Sequence, residues 1–174
     1  LDSPANIYQN LRLSNNKTTK LIKHKSVSAV SFTGGSKAGS IVAKMAGTHL
    51  KKVLLELGGS DPFIILSDAD INRAISSCIS GRLLNAGQSC ISVKRIIVTT
   101  DIYDLFLKRL ILRLKKIELG NSQDSFELGP MVSKKARLKV HKQVKNSVKK
   151  GARLLLGGEI PKRKGSYYPI TLLS

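Results

Sequence analysis

The sequence contains few acidic residues, few aromatic residues and only two cysteines. Asp and Glu number 11 against 30 Lys and Arg, so the formal net charge is +19. Tryptophan is absent and aromatic residues make up 5 % of the chain, which leaves few stacking platforms for single-stranded nucleic acid. Cys78 and Cys90 are too few for a disulfide framework or a zinc-ligand set. We therefore expect a reducing, cytoplasmic setting and no metal site.

Long apolar runs are also missing, and no stretch approaches the ~20 residues that a membrane span needs. The N-terminus shows no charged region followed by an apolar run, so no signal peptide is predicted. The 174 residues are 41 % hydrophobic, which is typical of a globular protein with one domain or two small ones. The chain starts at Leu1 and not at Met, and we expect it to be a segment of a longer product.

The excess of basic residues is concentrated late in the chain. Residues 134–164 hold 12 Lys and Arg and a single acid, Glu159. Val140, Val144 and Val148 recur every four residues there, which predicts a helix with one apolar face and lysines on the others. A solvated surface helix is the favoured interpretation. A basic module that binds nucleic acid is the alternative, but lysines outnumber arginines and base readout favours arginine, so we expect no nucleic-acid partner.

Strand patterns and helix patterns alternate along the chain, which predicts an α/β fold with a mostly parallel sheet. The paired glycines Gly58-Gly59 follow a strand that reads as buried, and we place a domain boundary there. The strands are predicted at residues 27–32, 53–57, 63–66, 96–98 and 152–156, and the helices at residues 17–24, 41–46, 70–84, 103–117 and from 134 onward, with a loop at residues 120–129.

A glycine-rich turn, Gly34 to Gly39, stands between a predicted strand and a predicted helix. Glycines there let backbone N–H groups approach a phosphate at the start of a helix. The signal is weak by itself, because many such turns bind nothing and the spacing differs from G-x-G-x-x-G.

Glu56 interrupts the otherwise apolar stretch of residues 53–57. If it is buried, its pKa is raised and it suits a general base near neutral pH. The alternative is a glutamate at a strand end that reaches solvent or pairs with a lysine.

The two cysteines lie in different patterns. Cys90 follows the polar, glycine-containing break Asn85-Ala86-Gly87-Gln88-Ser89, where a thiol can be exposed and reactive. The other interpretation is a free cysteine that fills a gap in a core. Cys78 lies within a helical pattern and is expected in the core.

Five motifs follow one another along the chain: Phe32-Thr33-Gly34 with Gly39, Leu55-Glu56-Leu57-Gly58-Gly59, Asp68-Ala69-Asp70, Asn85-Ala86-Gly87-Gln88-Ser89-Cys90, and Leu128-Gly129-Pro130. In this order they resemble the aldehyde dehydrogenase superfamily, and most closely its NAD(P)-dependent succinate-semialdehyde dehydrogenases. The chain would be an internal segment of such an enzyme.

The resemblance implies a role for each of these positions. Cys90 would attack the aldehyde, and Glu56 would activate the water that hydrolyses the resulting thioester. NAD or NADP would be bound by Thr33, Gly34, Gly35, Ser36, Gly39 and the Leu57 carbonyl. Residues 1–57 would be the C-terminal part of a Rossmann-like cofactor-binding domain, and residues 58–174 the N-terminal part of the catalytic α/β domain.

The resemblance also implies which partners the protein has and how far this chain departs from the family. We expect a small-molecule aldehyde as substrate, no membrane, and a homo-oligomer for the full-length family. Gly35 departs from the serine that many relatives carry. Arg82 is a candidate cation for a substrate carboxylate, with an ordinary helix-surface arginine as the other interpretation. The isolated chain is expected to have little turnover, and a non-catalytic partner of a full-length relative is an alternative function.

Overall fold

The computed structural model describes residues 4–120 and 127–174, and the chain divides into two compact units, Leu1–Gly58 and Gly59–Ser174. The division falls between the two glycines that the sequence marks as a boundary. Residues 121–126 of the predicted loop lie outside the described residues.

The first unit contains α1 (Asn15–Lys23), β1 (Ala29–Gly34), α2 (Ser36–Thr48) and β2 (Lys52–Leu57). Ser14 caps α1 and its hydroxyl accepts a hydrogen bond from the Lys17 amide at 3.4 Å, as expected for serine at a helix start. β1 and β2 pair in parallel from Ala29 opposite Lys52 to Gly34 opposite Leu57, and α2 packs against both strands.

Two expectations for this unit are wrong. β2 is not a buried strand, since Val53, Leu54 and Glu56 are exposed. The reason is that β1 is the one strand paired with β2 among the described residues. The helix predicted at residues 41–46 is also longer than expected, because α2 runs from Ser36 through Gly47 to Thr48. Glycine within a helix costs only about 1 kcal/mol, which the packing of α2 offsets.

The second unit carries the remaining elements, most of them where the sequence predicts them. β3 and β4 pair in parallel, as do β5 and β6, whereas β7 and β8 are antiparallel. The predicted α/β class is confirmed, and three of the four strand pairs are parallel, but the described strands form four two-stranded sheets and not one sheet. The elements are β3 (Pro62–Ile65), α3 (Ile71–Leu83), β4 (Arg95–Val98), α4 (Thr100–Leu114), β5 (Glu118–Leu119), β6 (Glu127–Leu128), α5 (Lys134–Lys149), β7 (Leu154–Leu156) and β8 (Leu172–Leu173).

The core of the second unit lies between β3, α3 and α4. Ile65, Ile75, Phe106, Leu110 and Leu114 are buried and form one cluster. This cluster fixes α3, whose C-terminal end leads into the segment that bears Cys90.

The predicted basic helix is present as α5, with Val144 buried and its lysines exposed. Lys145 forms an ion pair with Glu159. In the ranges that the structure describes, no helix combines the length and the apolar character that crossing a membrane requires.

Candidate functional site

The carboxyl ends of β1 and β2 bring most of the predicted site residues of the first unit together. Thr33 stands opposite Glu56 in the parallel register, and Gly34 stands opposite Leu57. Carboxyl ends of parallel strands meet at one edge of a sheet, and that edge is the usual place for ligands in open α/β folds.

The turn between β1 and α2 is shorter than the glycine-rich sequence suggests. α2 begins at Ser36, so Ser36 and Gly39 lie in the helix and Gly35 is its N-cap residue. Gly35 has no side chain to accept from the first amides of α2, and the first turn holds no acid. A Cβ placed on Gly35 would meet nothing within 4 Å. The helix start is therefore open to an anion, which its N–H groups and dipole favour.

A cavity of about 510 Å³ lies between α1, β1 and α2 and reaches Ala38 in the first turn of α2. Its walls are mainly apolar and include Ile22, Phe32, Ile41 and Met45. An apolar cleft that reaches the first turn of α2 has a lining suited to a flat aromatic group.

Glu56 is exposed. This matches the alternative interpretation of a strand-end carboxylate that reaches solvent, and not the buried one. Glu56 is exposed because β1 is the one strand that pairs with β2 among the described residues.

In the second unit, an unusual turn follows α3 and leads to Cys90. The turn, Leu84–Gly87, contains three successive residues with positive φ: Asn85 at 51°, Ala86 at 54° and Gly87 at 72°. A non-glycine residue in this left-handed region costs about 1–2 kcal/mol, so other contacts must hold the turn in place.

Arg82 bonds to the end of this turn, and Lys94 bonds to the segment that follows it. Arg82 donates from Nη1 to the Val93 carbonyl and from Nη2 to the Gly87 carbonyl, both at 2.7 Å. Lys94 donates from Nζ to the Cys90 carbonyl at 3.0 Å and to the Ser92 carbonyl at 3.2 Å.

Gln88 ties the same turn to a more distant segment. Its side-chain amide donates to the Asn85 carbonyl at 3.0 Å, and its Oε1 accepts from the Val132 amide at 2.9 Å.

Arg82 therefore fits neither sequence interpretation. It is half-buried and not an ordinary surface arginine, and its guanidinium is engaged by two backbone carbonyls. Burial lowers its pKa from the ordinary arginine value. Nothing in the local sequence could reveal these bonds, because their acceptors take position only when the turn after α3 reverses the chain.

The two cysteines are both free and differ in accessibility. Cys90 is exposed, whereas Cys78 is 1 % exposed in α3. Burial raises the pKa of the Cys78 thiol to about 11, against an opposing effect of Arg82. Cys78 is thus a core residue, as expected, and Cys90 is the accessible thiol.

The backbone of Cys90 has one group engaged and one free. Its carbonyl accepts from Lys94, while its amide N–H has no acceptor among the residues that the structure describes. Ser92, two residues later, is fully buried, and its Oγ has no hydrogen-bond partner within those described ranges.

Comparison with known proteins matches the whole of this segment to one family. The model of the aldehyde dehydrogenase family matches residues 2–174. The NAD(P)+ succinate semialdehyde dehydrogenase Sad of Escherichia coli (strain K12) is 40 % identical over 172 residues, which are 98 % of this chain and 37 % of that protein. The chain thus spans a little more than a third of the length of such curated relatives.

Solved structures agree with the fold. A structure of Gox0499, described in terms of cofactor and substrate selection, superposes with a TM-score of 0.93 at 40 % identity, covering 99 % of this chain and 38 % of that one. Betaine aldehyde dehydrogenase from Staphylococcus aureus, solved in complex with NAD+, gives a TM-score of 0.85 at 35 % identity, covering 90 % and 32 %.

Proposed function

The chain belongs to the aldehyde dehydrogenase family, and we propose that its protein oxidises an aldehyde to a carboxylate with NAD(P)+, with Cys90 as the nucleophile. One observation carries the assignment of the nucleophile. Of the two free cysteines, Cys90 is exposed on a braced turn while Cys78 is buried.

Cys90 would begin the reaction by attacking the aldehyde carbon. A C–S bond forms, and the carbonyl oxygen becomes an oxyanion that needs hydrogen-bond donors in place beforehand. The unengaged amide N–H of Cys90 can be one of them, because the carbonyl of the same residue is already held by Lys94.

The residues of the first unit fit a nicotinamide dinucleotide. The open start of α2 at Gly35 and Ser36 suits the pyrophosphate. Thr33, Gly34 and the Leu57 carbonyl lie along the strand edge, and Gly39 lies in α2 against the Leu57 side chain. The adjacent apolar cavity has room for an aromatic base. When bound, NAD(P)+ supplies the hydride acceptor. We assign residues 1–57 to the cofactor-binding domain and residues 58–174 to the catalytic domain.

Glu56 would complete the cycle as a general base. We propose this role because the motif Leu55-Glu56-Leu57-Gly58-Gly59 resembles that of the family. The Glu56 carboxylate would take a proton from water, and the water oxygen would attack the acyl carbon of the Cys90 thioester. The C–O bond forms, the C–S bond breaks, and the Cys90 thiolate is released with the carboxylate product.

For the substrate we propose succinate semialdehyde, on the strength of the curated relative that is named for it. Its carboxylate needs a cation, but we do not assign Arg82 to it, because both ends of that guanidinium are bonded to backbone carbonyls.

The nucleophile can be tested without cofactor by an activated ester. The thiolate attacks the carbonyl of p-nitrophenyl acetate, the aryl C–O bond breaks, and p-nitrophenolate leaves in a burst with an acetyl thioester on the protein. We expect the acetyl group on the Cys90 peptide, no burst for Cys90→Ser, and a normal burst for Cys78→Ser. Acetylation of lysines alone, or a burst that survives Cys90→Ser, would contradict the proposal.

A further inference from the structure

We propose that Arg82 is a positioning residue for Cys90, and this inference rests on the proposed role of Cys90 as nucleophile. Arg82 sits in the last turn of α3 and bonds to the carbonyls of Gly87 and Val93. Those two carbonyls lie three residues before and three residues after Cys90. One planar guanidinium thus closes the segment 87–93, here called the Cys90 loop, at both of its ends.

The position of Gly87 shows how closely the guanidinium fits the loop. A Cβ added to Gly87 would collide with Arg82 Nη2 and lie 2.9 Å from Cζ. Gly87 also has a φ of 72°, which glycine adopts without strain. A residue with a side chain at position 87 would therefore displace the guanidinium from its two acceptors.

The bonds of Arg82 oppose the strain in the turn. Asn85 and Ala86 hold left-handed conformations that would relax without support. A fork that donates to two acceptors at fixed spacing resists such relaxation better than a point charge does. Lys94 adds a second brace at the Cys90 and Ser92 carbonyls. Together they fix the direction of the Cys90 amide N–H.

Two reactions of the Cys90 thiol distinguish the orientation of the Cys90 amide N–H from the exposure of the thiol. Acetylation by p-nitrophenyl acetate creates an oxyanion and depends on the orientation of the Cys90 amide N–H. Alkylation by iodoacetamide displaces iodide at a saturated carbon and forms no oxyanion, so it depends mainly on the exposure and ionisation of the thiol. The ratio of the acetylation rate to the alkylation rate at Cys90 therefore reports how well the Cys90 amide N–H is oriented.

The experiment uses the full chain with Arg82→Met, Arg82→Lys and Gly87→Ala. Arg73→Met is the matched control, because Arg73 is exposed on the same helix. Alkylation of the buried Cys78 in each variant reports whether α3 and its core stay folded.

We expect Arg82→Met and Gly87→Ala to slow acetylation of Cys90 by about 10- to 100-fold and its alkylation by no more than about threefold. Arg82→Lys should recover part of the loss, Arg73→Met should match the native chain, and Cys78 should stay protected. Unchanged acetylation in folded Arg82→Met would overturn the inference. So would rapid alkylation of Cys78 in that variant, which would show a general structural role. Absence of Cys90 acetylation in the native chain would instead refute the proposed nucleophile.

Discussion

Gly39 in α2 lies directly against the side chain of Leu57 at the end of β2. A Cβ built on Gly39 would be 2.6 Å from Leu57 Cδ2, which is closer than two non-bonded carbon atoms can approach. This contact holds the start of α2 against the strand edge where Thr33 stands opposite Glu56. The contact between Gly39 and Leu57 therefore joins the helix of the proposed pyrophosphate site to the strand that carries the proposed base, Glu56.

The first prediction concerns this contact. Gly39→Ala should lower the free energy of unfolding by about 1–3 kcal/mol, because Leu57 must move. Gly47→Ala is the control, since a Cβ at that exposed position of α2 meets nothing within 4 Å, and it should raise stability by up to about 1 kcal/mol. Urea unfolding of the three chains checks this, and the same sign for both variants would contradict it.

The second prediction separates folding from cofactor binding at Gly35. Gly35→Asp gives α2 the cap that it lacks and should add a few tenths of a kcal/mol, roughly, to stability. The same carboxylate repels a pyrophosphate and should weaken NADP+ binding by at least about tenfold.

Gly35→Ser is the uncharged control and should bind NADP+ like the native chain. Ligand-observed NMR with NADP+ gives the affinities. Equal binding by the Asp and Ser variants would place the pyrophosphate elsewhere.

The third prediction follows from the raised pKa of Cys78. Folding raises this pKa from 9.0 to about 11, so the folded chain holds the thiol proton more tightly than the unfolded chain does. The resulting stability is fully present below pH 9 and is lost as pH rises towards 11. The size of the effect is about 2–3 kcal/mol.

Cys78→Ala isolates this effect from the titration of lysines and tyrosines in the same pH range. The difference in unfolding free energy between the native chain and Cys78→Ala should shrink across that interval. Parallel pH profiles would show that Cys78 does not ionise on unfolding.

The fourth prediction tests the proposed base. In Glu56→Gln, acetylation of Cys90 by the ester should proceed normally, but the thioester should persist about 100-fold longer, because the amide cannot take the proton of water. Glu118→Gln, an exposed acid on β5, should leave the lifetime unchanged. Mass spectrometry of the Cys90 peptide over time measures it, and equal lifetimes for all three chains would remove Glu56 from the mechanism.

Local chemistry explains which parts of the fold the sequence predicts. Ser14 and Asp70 cap α1 and α3 with their own side chains, so those starts depend on neighbouring residues alone. β8 could not be predicted, because its two residues become a strand only by pairing with Leu154 and Leu156 of β7. The exposure of Glu56 depends in the same way on what covers β2, which the apolar stretch of residues 53–57 does not encode.

In the candidate site, too, features set by neighbouring residues could be predicted from the sequence, and features set by long-range contacts could not. The core position of Cys78 follows from the helical pattern around it. The sequence around Cys90 left a reactive loop thiol and a core thiol both open, and the structure shows Cys90 exposed. The bonds of Arg82 could not be predicted either, since its acceptors at Gly87 and Val93 come within reach only after Asn85 and Ala86 reverse the chain. Long-range backbone contacts of this kind leave no periodic signal.

The most direct test of the central claim is mass-resolved labelling of both cysteines with iodoacetamide, in the native chain and in the urea-unfolded chain. Folded Cys90 should react at least as fast as unfolded Cys90. Folded Cys78 should react about 100-fold more slowly than when unfolded, because it is buried and its pKa is raised to about 11. Equal and slow labelling of both cysteines in the folded chain would contradict the claim that the turn after α3 presents Cys90 as a nucleophile.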